Sequence, residues 1–113
     1  PALVLGVIIQ WKSFSKFSVS SIKVKDGQQE VFLSPEEVFF VESDSNYAIF
    51  HTARGRLLQR TSLTRLEEEL PNQFTRCHRS FIINQQHIQK RSAQEVEVAG
   101  NLVPIGRKYK NDI

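Results

Sequence analysis

This chain is poor in sulfur and in histidine, with one Cys, no Met and three His among 113 residues. A lone thiol forms no internal disulfide and builds no cysteine-rich zinc module, and it fits a reducing compartment best. The histidines, at positions 51, 78 and 87, are far apart and none has a second ligand at metal spacing. No metal and no other cofactor is therefore expected. The five glycines are scattered and fit turns, so there is no phosphate-cradling loop. The longest apolar run, from Ala2 to Ile9, falls well short of the roughly twenty residues of a membrane-spanning helix. It also lacks the basic leader and cleavage site of a signal peptide. Length leaves room for one domain and excludes a kinase or a barrel enzyme within this chain.

What is present is an ordinary globular mix, 40% hydrophobic and 24% charged. The net charge of +3 is unevenly spread. Residues 1–25 carry +4, residues 26–71 carry −5 and residues 72–113 carry +4. A basic C-terminal third beside an acidic middle suits one face turned to an anionic partner. Uneven charge on a solvated surface would look the same at this level.

From Ser21 onward the pattern is period two, interrupted by turn signals. Ile22 and Val24 alternate with Lys23 and Lys25. Asp26-Gly27 then predicts a hairpin returning through Val31-Phe32-Leu33. Ser34-Pro35-Glu36-Glu37 has the cap, the N1 proline and the capping-box glutamate of one helical turn. Val38 to Val41 reads as a buried strand, Asp44-Ser45-Asn46 as a break, and Tyr47 to Thr52 and Leu57 to Thr61 as a hairpin about Arg54-Gly55. Leu63, Leu66 and Leu70 form one helical stripe, which Pro71 ends. Strands are expected again at 74–76, 80–83, 88–90, 96–98 and 102–105, the last two joined through Gly100-Asn101. The fold class is β-dominated, with one short helix and short helical turns in a single domain over residues 21–113. Residues 1–20 read as a linker or the end of an upstream segment, whose Leu3–Ile9 stretch needs cover in water.

No catalytic constellation emerges. Cys77-His78 invites a nucleophile and base, but neighbours on a strand point to opposite faces. Cys77 reads as a small core residue and His78 as a structural hydrogen-bonder. Glu36-Glu37 and Glu67-Glu68-Glu69 fit a cap and a solvated helix face, so the chain is not expected to be an enzyme.

Polar residues instead gather at irregular junctions: Asp44-Ser45-Asn46-Tyr47, Arg76-Cys77-His78-Arg79-Ser80 and Arg107-Lys108-Tyr109-Lys110. Arg and Asn can read guanine and adenine edges through two hydrogen bonds, while Lys and Ser suit phosphates. Loops on a stiff β scaffold can carry such groups into a groove without a recognition helix.

At these junctions the sequence resembles the LytTR DNA-binding domain. The resemblance rests on Val38-Phe39-Phe40-Val41-Glu42-Ser43, on Asn46-Tyr47, on Phe74-Thr75-Arg76-Cys77-His78-Arg79-Ser80-Phe81-Ile82-Ile83-Asn84, and on Val103-Pro104-Ile105-Gly106-Arg107-Lys108-Tyr109. Gly106 departs from the family pattern, which usually has Ser there. The resemblance implies an elongated stack of three small antiparallel sheets and sequence-specific duplex binding by a bacterial transcription regulator. Loops, not a helix, would read successive major grooves. By position, base contacts fall on Asn46, Arg79 and Arg107. Backbone contacts fall on Tyr47, Ser80, Lys108 and Lys110.

Implied partners are double-stranded DNA with paired direct repeats, a second copy on that DNA, and an upstream receiver or sensor segment in a two-component response regulator. A cytoplasmic location follows, with a membrane tether through an upstream span left open. The rival reading is a β-rich protein–protein interaction module with basic edges, separable by its insensitivity to salt. An RNA-binding reading lacks an exposed aromatic platform, since most of the eight Phe fit core positions.

Overall fold

The computed structural model describes residues 21–113. The linker reading of residues 1–20, and the cover expected for Leu3–Ile9, lie outside the described residues. The order of elements is β1 (Ile22–Asp26), β2 (Gln29–Leu33), a 3-10 turn (Pro35–Glu37), β3 (Val38–Asp44), β4 (Tyr47–Thr52), β5 (Gly55–Arg60) and α1 (Leu63–Glu69). There follow β6 (Phe74–His78), β7 (Phe81–Asn84), a 3-10 turn (Gln85–His87), β8 (Ile88–Arg91), β9 (Glu95–Val98), β10 (Asn101–Pro104) and a closing 3-10 helix (Arg107–Asp112). Three antiparallel sheets result: the hairpin β1–β2, a five-stranded sheet ordered β5-β4-β3-β7-β6, and a three-stranded sheet ordered β8-β9-β10.

The alternation of side chains explains why the middle sheet is covered twice. Val41 and Ile82 lie on one face, in a core with Leu33, Phe50 and the helix residues Leu63 and Leu66. Their chain neighbours Phe40 and Ile83 lie on the other, in a second core with Val96, Val98 and Val103 of the three-stranded sheet. A strand buried on both faces reads as a continuous apolar run, which is what Val38 to Val41 and Phe81 to Ile83 are. The split core accounts for the stacked arrangement: α1 and the first hairpin close one side of the central sheet, the last three strands the other.

Local signals mostly act as the sequence implies. Gly27, with φ of 66°, turns β1 into β2. Ser62 Oγ accepts from Arg65 N at 3.1 Å to cap α1. Pro71 holds Leu70 in extended backbone at the other end, with φ −80° and ψ 152°. The last hairpin differs from expectation. Its turn is Ala99–Gly100, both with positive φ, and Asn101 already pairs with Val98. A two-residue turn of this hand matches strand twist, and Gly100 takes the second left-handed position at no steric cost. Strand alternation alone could not separate the two placements.

The turn before β3 is pinned electrostatically. The capping box of Ser34 and Glu37 forms, and Arg54 Nε donates to Glu37 Oε1 at 2.7 Å. The Arg54 guanidinium and the Ser34 amide hold the Glu37 carboxyl down, from 4.5 to about 2. A folded-state value below the unfolded one stabilises the fold above pH 4.5, and that gain disappears as pH falls toward 2. Thermal melts of wild type and Glu37→Gln should therefore differ most near neutrality and converge as pH falls through this window. A gap that persists at the acid end would show that the charge contributes nothing.

Candidate nucleic-acid interface

Two turns meet at one end of the central sheet because β3 and β7 run antiparallel side by side. Ser45–Asn46 joins β3 to β4, and Arg79–Ser80 joins β6 to β7. Ser43 N donates to Ser80 O at 2.9 Å, so the two turns are hydrogen-bonded together. Ser45 takes φ of 56°, an uncommon conformation for a residue with a Cβ, and presents Asn46 at the exposed tip. Hairpin register brings Arg60, at the end of β5, opposite Tyr47, at the start of β4. Together these segments line a cleft of about 450 Å³ that includes Asn46, Arg60, Thr61, Thr64, Arg76 and Arg79.

Asn46 and Arg79 thus share one cleft, with Ser80 half-buried beside them and Tyr47 exposed opposite Arg60. Arg107 is not in it. It lies on the closing 3-10 helix, which is tied to β6 by Gly106 N donating to Cys77 O at 2.7 Å. A Cβ at Gly106 would come within 3.0 Å of the Tyr109 ring and 3.5 Å of His78 Cα. The missing side chain lets this segment sit close to the strand that leads into the Arg79 turn. Arg107 and Lys108 are exposed there, with Lys108 Nζ 5.3 Å from the Tyr109 ring centre. Lys110 borders a separate hollow with Arg91 and Ser92.

The cations differ in how they are engaged. Among the described residues, no ion pair involves Arg60, Arg79, Arg107, Lys108 or Lys110. Arg76 is the exception in the cleft, paired with Glu67 of α1. Exposed, unpaired guanidiniums beside an exposed amide and several hydroxyls form a surface that can accept phosphate oxygens and base edges. Arg60, Thr61 and Thr64 were not among the residues expected from sequence. The turn is Ala53–Arg54, one residue before the expected Arg54-Gly55, and register arithmetic across it carries the signal for Arg60, since pairing Thr52 with Gly55 puts Arg60 beside Tyr47.

Cys77 and His78 take the structural roles expected of them. A register irregularity lies between Arg76 and His78, and Cys77 within it is fully buried, its Sγ 3.6 Å from Pro104 O and 3.7 Å from Phe81 O. Burial pushes its thiol up to about 12. His78 Nδ1 accepts from Ser80 N at 3.0 Å and so shapes the Arg79 turn. Cys77 should react with a thiol reagent only at the rate of local opening, and labelling should accelerate sharply in denaturant. Rapid labelling of the native protein would contradict this burial. Among the described residues there is no cluster of three metal-ligating side chains, and no helix is long and apolar enough to cross a membrane.

Comparisons with known proteins give a family, related regulators and a shared fold. The family model described as the LytTr DNA-binding domain matches residues 28–113. The chain is 38% identical over 89 residues to the CO-responsive transcriptional regulator RcoM of Rhodospirillum rubrum, covering 72% of this chain and 38% of that protein. It is 30% identical over 80 residues to accessory gene regulator protein A of Staphylococcus aureus, covering 69% of this chain and 33% of that protein. The match therefore spans about a third of the length of these curated relatives. A solved LytTr DNA-binding domain from Bacillus cereus shares the fold, with a TM-score of 0.72 at 24% identity over 84% of this chain and 94% of that chain.

Proposed function

This chain belongs to the LytTr DNA-binding domain family, and from that membership we propose that it reads duplex DNA in a sequence-specific manner through its turns. DNA binding by a transcription regulator is what the family does; it is not a catalytic family. The observation that carries the finer reading is the cleft in which Asn46 and Arg79 stand beside the unpaired Arg60 and the hydroxyls of Thr61 and Thr64. The first two would meet base edges, with Arg107 meeting a further base from the closing 3-10 helix. Tyr47, Ser80, Lys108 and Lys110 would hold the backbone, joined by Arg60. A turn reader of this kind enters successive major grooves without a recognition helix.

The acidic middle of the sequence supports the same orientation, because Glu68 and Glu69 on α1 are exposed and would be repelled by phosphates. We take residues 21–113 as the DNA-binding domain and residues 1–20 as the connection to an upstream receiver or sensor, in a cytoplasmic response regulator whose copies occupy paired direct repeats. Selection of bound duplexes from a randomised pool, followed by sequencing, tests the reading. One recurring motif is expected, with binding that weakens steeply as salt rises. Recovery of unenriched sequences would reduce the surface to a general phosphate binder, and salt-insensitive behaviour would remove DNA altogether.

A further inference from the structure

We propose that Arg76 is a positioning residue that fixes the Arg79 turn against both α1 and the closing helix, and that it sets sequence selectivity without touching DNA. This inference rests on the DNA-reading function above. The Arg76 side chain is 13% exposed, although it borders the cleft that Arg79 lines. Its guanidinium is committed in three directions. Nε donates to His78 O at 2.8 Å and Nη2 to Arg79 O, so two successive carbonyl-bearing residues at the entrance to the turn are held by one planar group. Nη1 donates to Glu67 Oε2 on α1. The guanidinium carbon also lies 6.0 Å from the centre of the Tyr109 ring, on the helix that carries Arg107 and Lys108.

The chemistry selects arginine for this place. A rigid planar fork can serve acceptors on several sides at once, while a lysine ammonium on a flexible stem would satisfy one or two and leave the others unpaired. The turn carbonyls are thereby oriented by a charged group, and the Glu67 carboxylate balances that charge beside the cleft. Arg76 is paired and turned inward, whereas Arg79 is exposed and outside every ion pair among the described residues. Two arginines three positions apart in one motif therefore have separate tasks: one shapes the turn and the other projects from it. Tyr109 extends the same control to the closing helix, so two of the three proposed base-reading segments, the Arg79 turn and the helix with Arg107, are referred to a single side chain.

The test uses fluorescence anisotropy with the duplex that wild type selects and with a scrambled duplex, each over a series of salt concentrations. Arg76→Ala and Glu67→Gln are each expected to weaken selected-site binding about tenfold, the scale of one lost base contact. Scrambled-duplex binding and the salt slope should stay at wild-type values, because no phosphate contact is removed. Glu67→Gln keeps Arg76 and a neutral isostere, so it reports on positioning even if Arg76→Ala fails to fold in a thermal melt. Arg76→Lys should recover only part of the selectivity. In an Arg79→Ala background the Glu67→Gln effect should shrink to the part that reaches the closing helix through Tyr109. A salt slope reduced by about 1 in Arg76→Ala, with equal loss on both duplexes, would make Arg76 a phosphate contact and overturn the proposal. Full selectivity in Glu67→Gln and Arg76→Ala would overturn it as well. If wild type itself selected no motif, the DNA-reading function would fail first, an outcome distinct from either of these.

Discussion

Asn84→Ala is expected to destabilise the domain by roughly 2–4 kcal/mol. Asn84 is fully buried and uses its amide completely. Nδ2 donates to Pro35 O at 3.0 Å and to Val38 O at 2.9 Å, while Oδ1 accepts from Gln86 N at 3.0 Å and from Gln73 Nε2 at 3.2 Å. One side chain at the end of β7 thus holds the turn before β3, caps the 3-10 turn after β7 and ties in the segment that enters β6. Alanine would remove the side-chain donor to Val38 O and to Pro35 O, the latter keeping only the Val38 amide, and a buried group left unpaired costs about 1–3 kcal/mol. For a domain of this size the melting temperature should fall on the order of 10–25 °C. Asn84→Asp keeps one acceptor but turns a second oxygen toward two carbonyls, so it should rescue little. An Asp variant as stable as wild type in thermal denaturation would mean that the two carbonyls do not depend on this amide.

The same residue marks the boundary of what the sequence makes legible. Alternation and turn chemistry are local, so the hairpins, the capping box and the Leu63–Leu66–Leu70 stripe could be read directly. Most strand ends moved by one or two residues, while β3 runs three residues past Val41 and takes in Asp44, where the sequence implies a break. Asn84 lies in a motif whose resemblance identifies the family, yet nothing local says that its partners are Pro35 and Val38, far back in the chain. Arg76 is a parallel case. Beside Arg79 in sequence it looks like one more cation for DNA, and only the packing of α1 beneath β6 reveals Glu67 as its partner. The pairing of the Asn46 and Arg79 turns likewise depends on β3 and β7 being neighbours in the sheet. Candidate base-reading residues were therefore visible as types at junctions, while their grouping into a cleft, and the separation of Arg107 from it, arose from strand order.

Arg79→Ala and Arg107→Ala should each weaken binding to the selected duplex by roughly 1–3 kcal/mol, a loss of about five- to 150-fold, and each should flatten the preference at one base position. The expectation follows from geometry and charge together. Both side chains are exposed and outside every ion pair among the described residues, so little need be broken before they form bidentate bonds to a base edge. Their carriers are fixed. The Arg79 turn is held by Ser80 N donating to His78 Nδ1 at 3.0 Å and by Ser43 N donating to Ser80 O at 2.9 Å. The segment with Arg107 is held by Gly106 N donating to Cys77 O at 2.7 Å. A side chain on a rigid turn loses less freedom on binding, and more of its contact survives as selectivity. Because the two residues lie on different elements, their losses should be nearly additive. The double variant would then lose about 2–6 kcal/mol, a large share of the gap of about 4–10 kcal/mol that typically separates specific from non-specific binding. Repeating the randomised selection with each single variant gives the decisive measurement. A motif degenerate at one position, a different one for each arginine, is the expected result. Equal weakening on every sequence with a shallower salt slope would make these arginines phosphate contacts, and unchanged motifs and affinities would remove them from the interface.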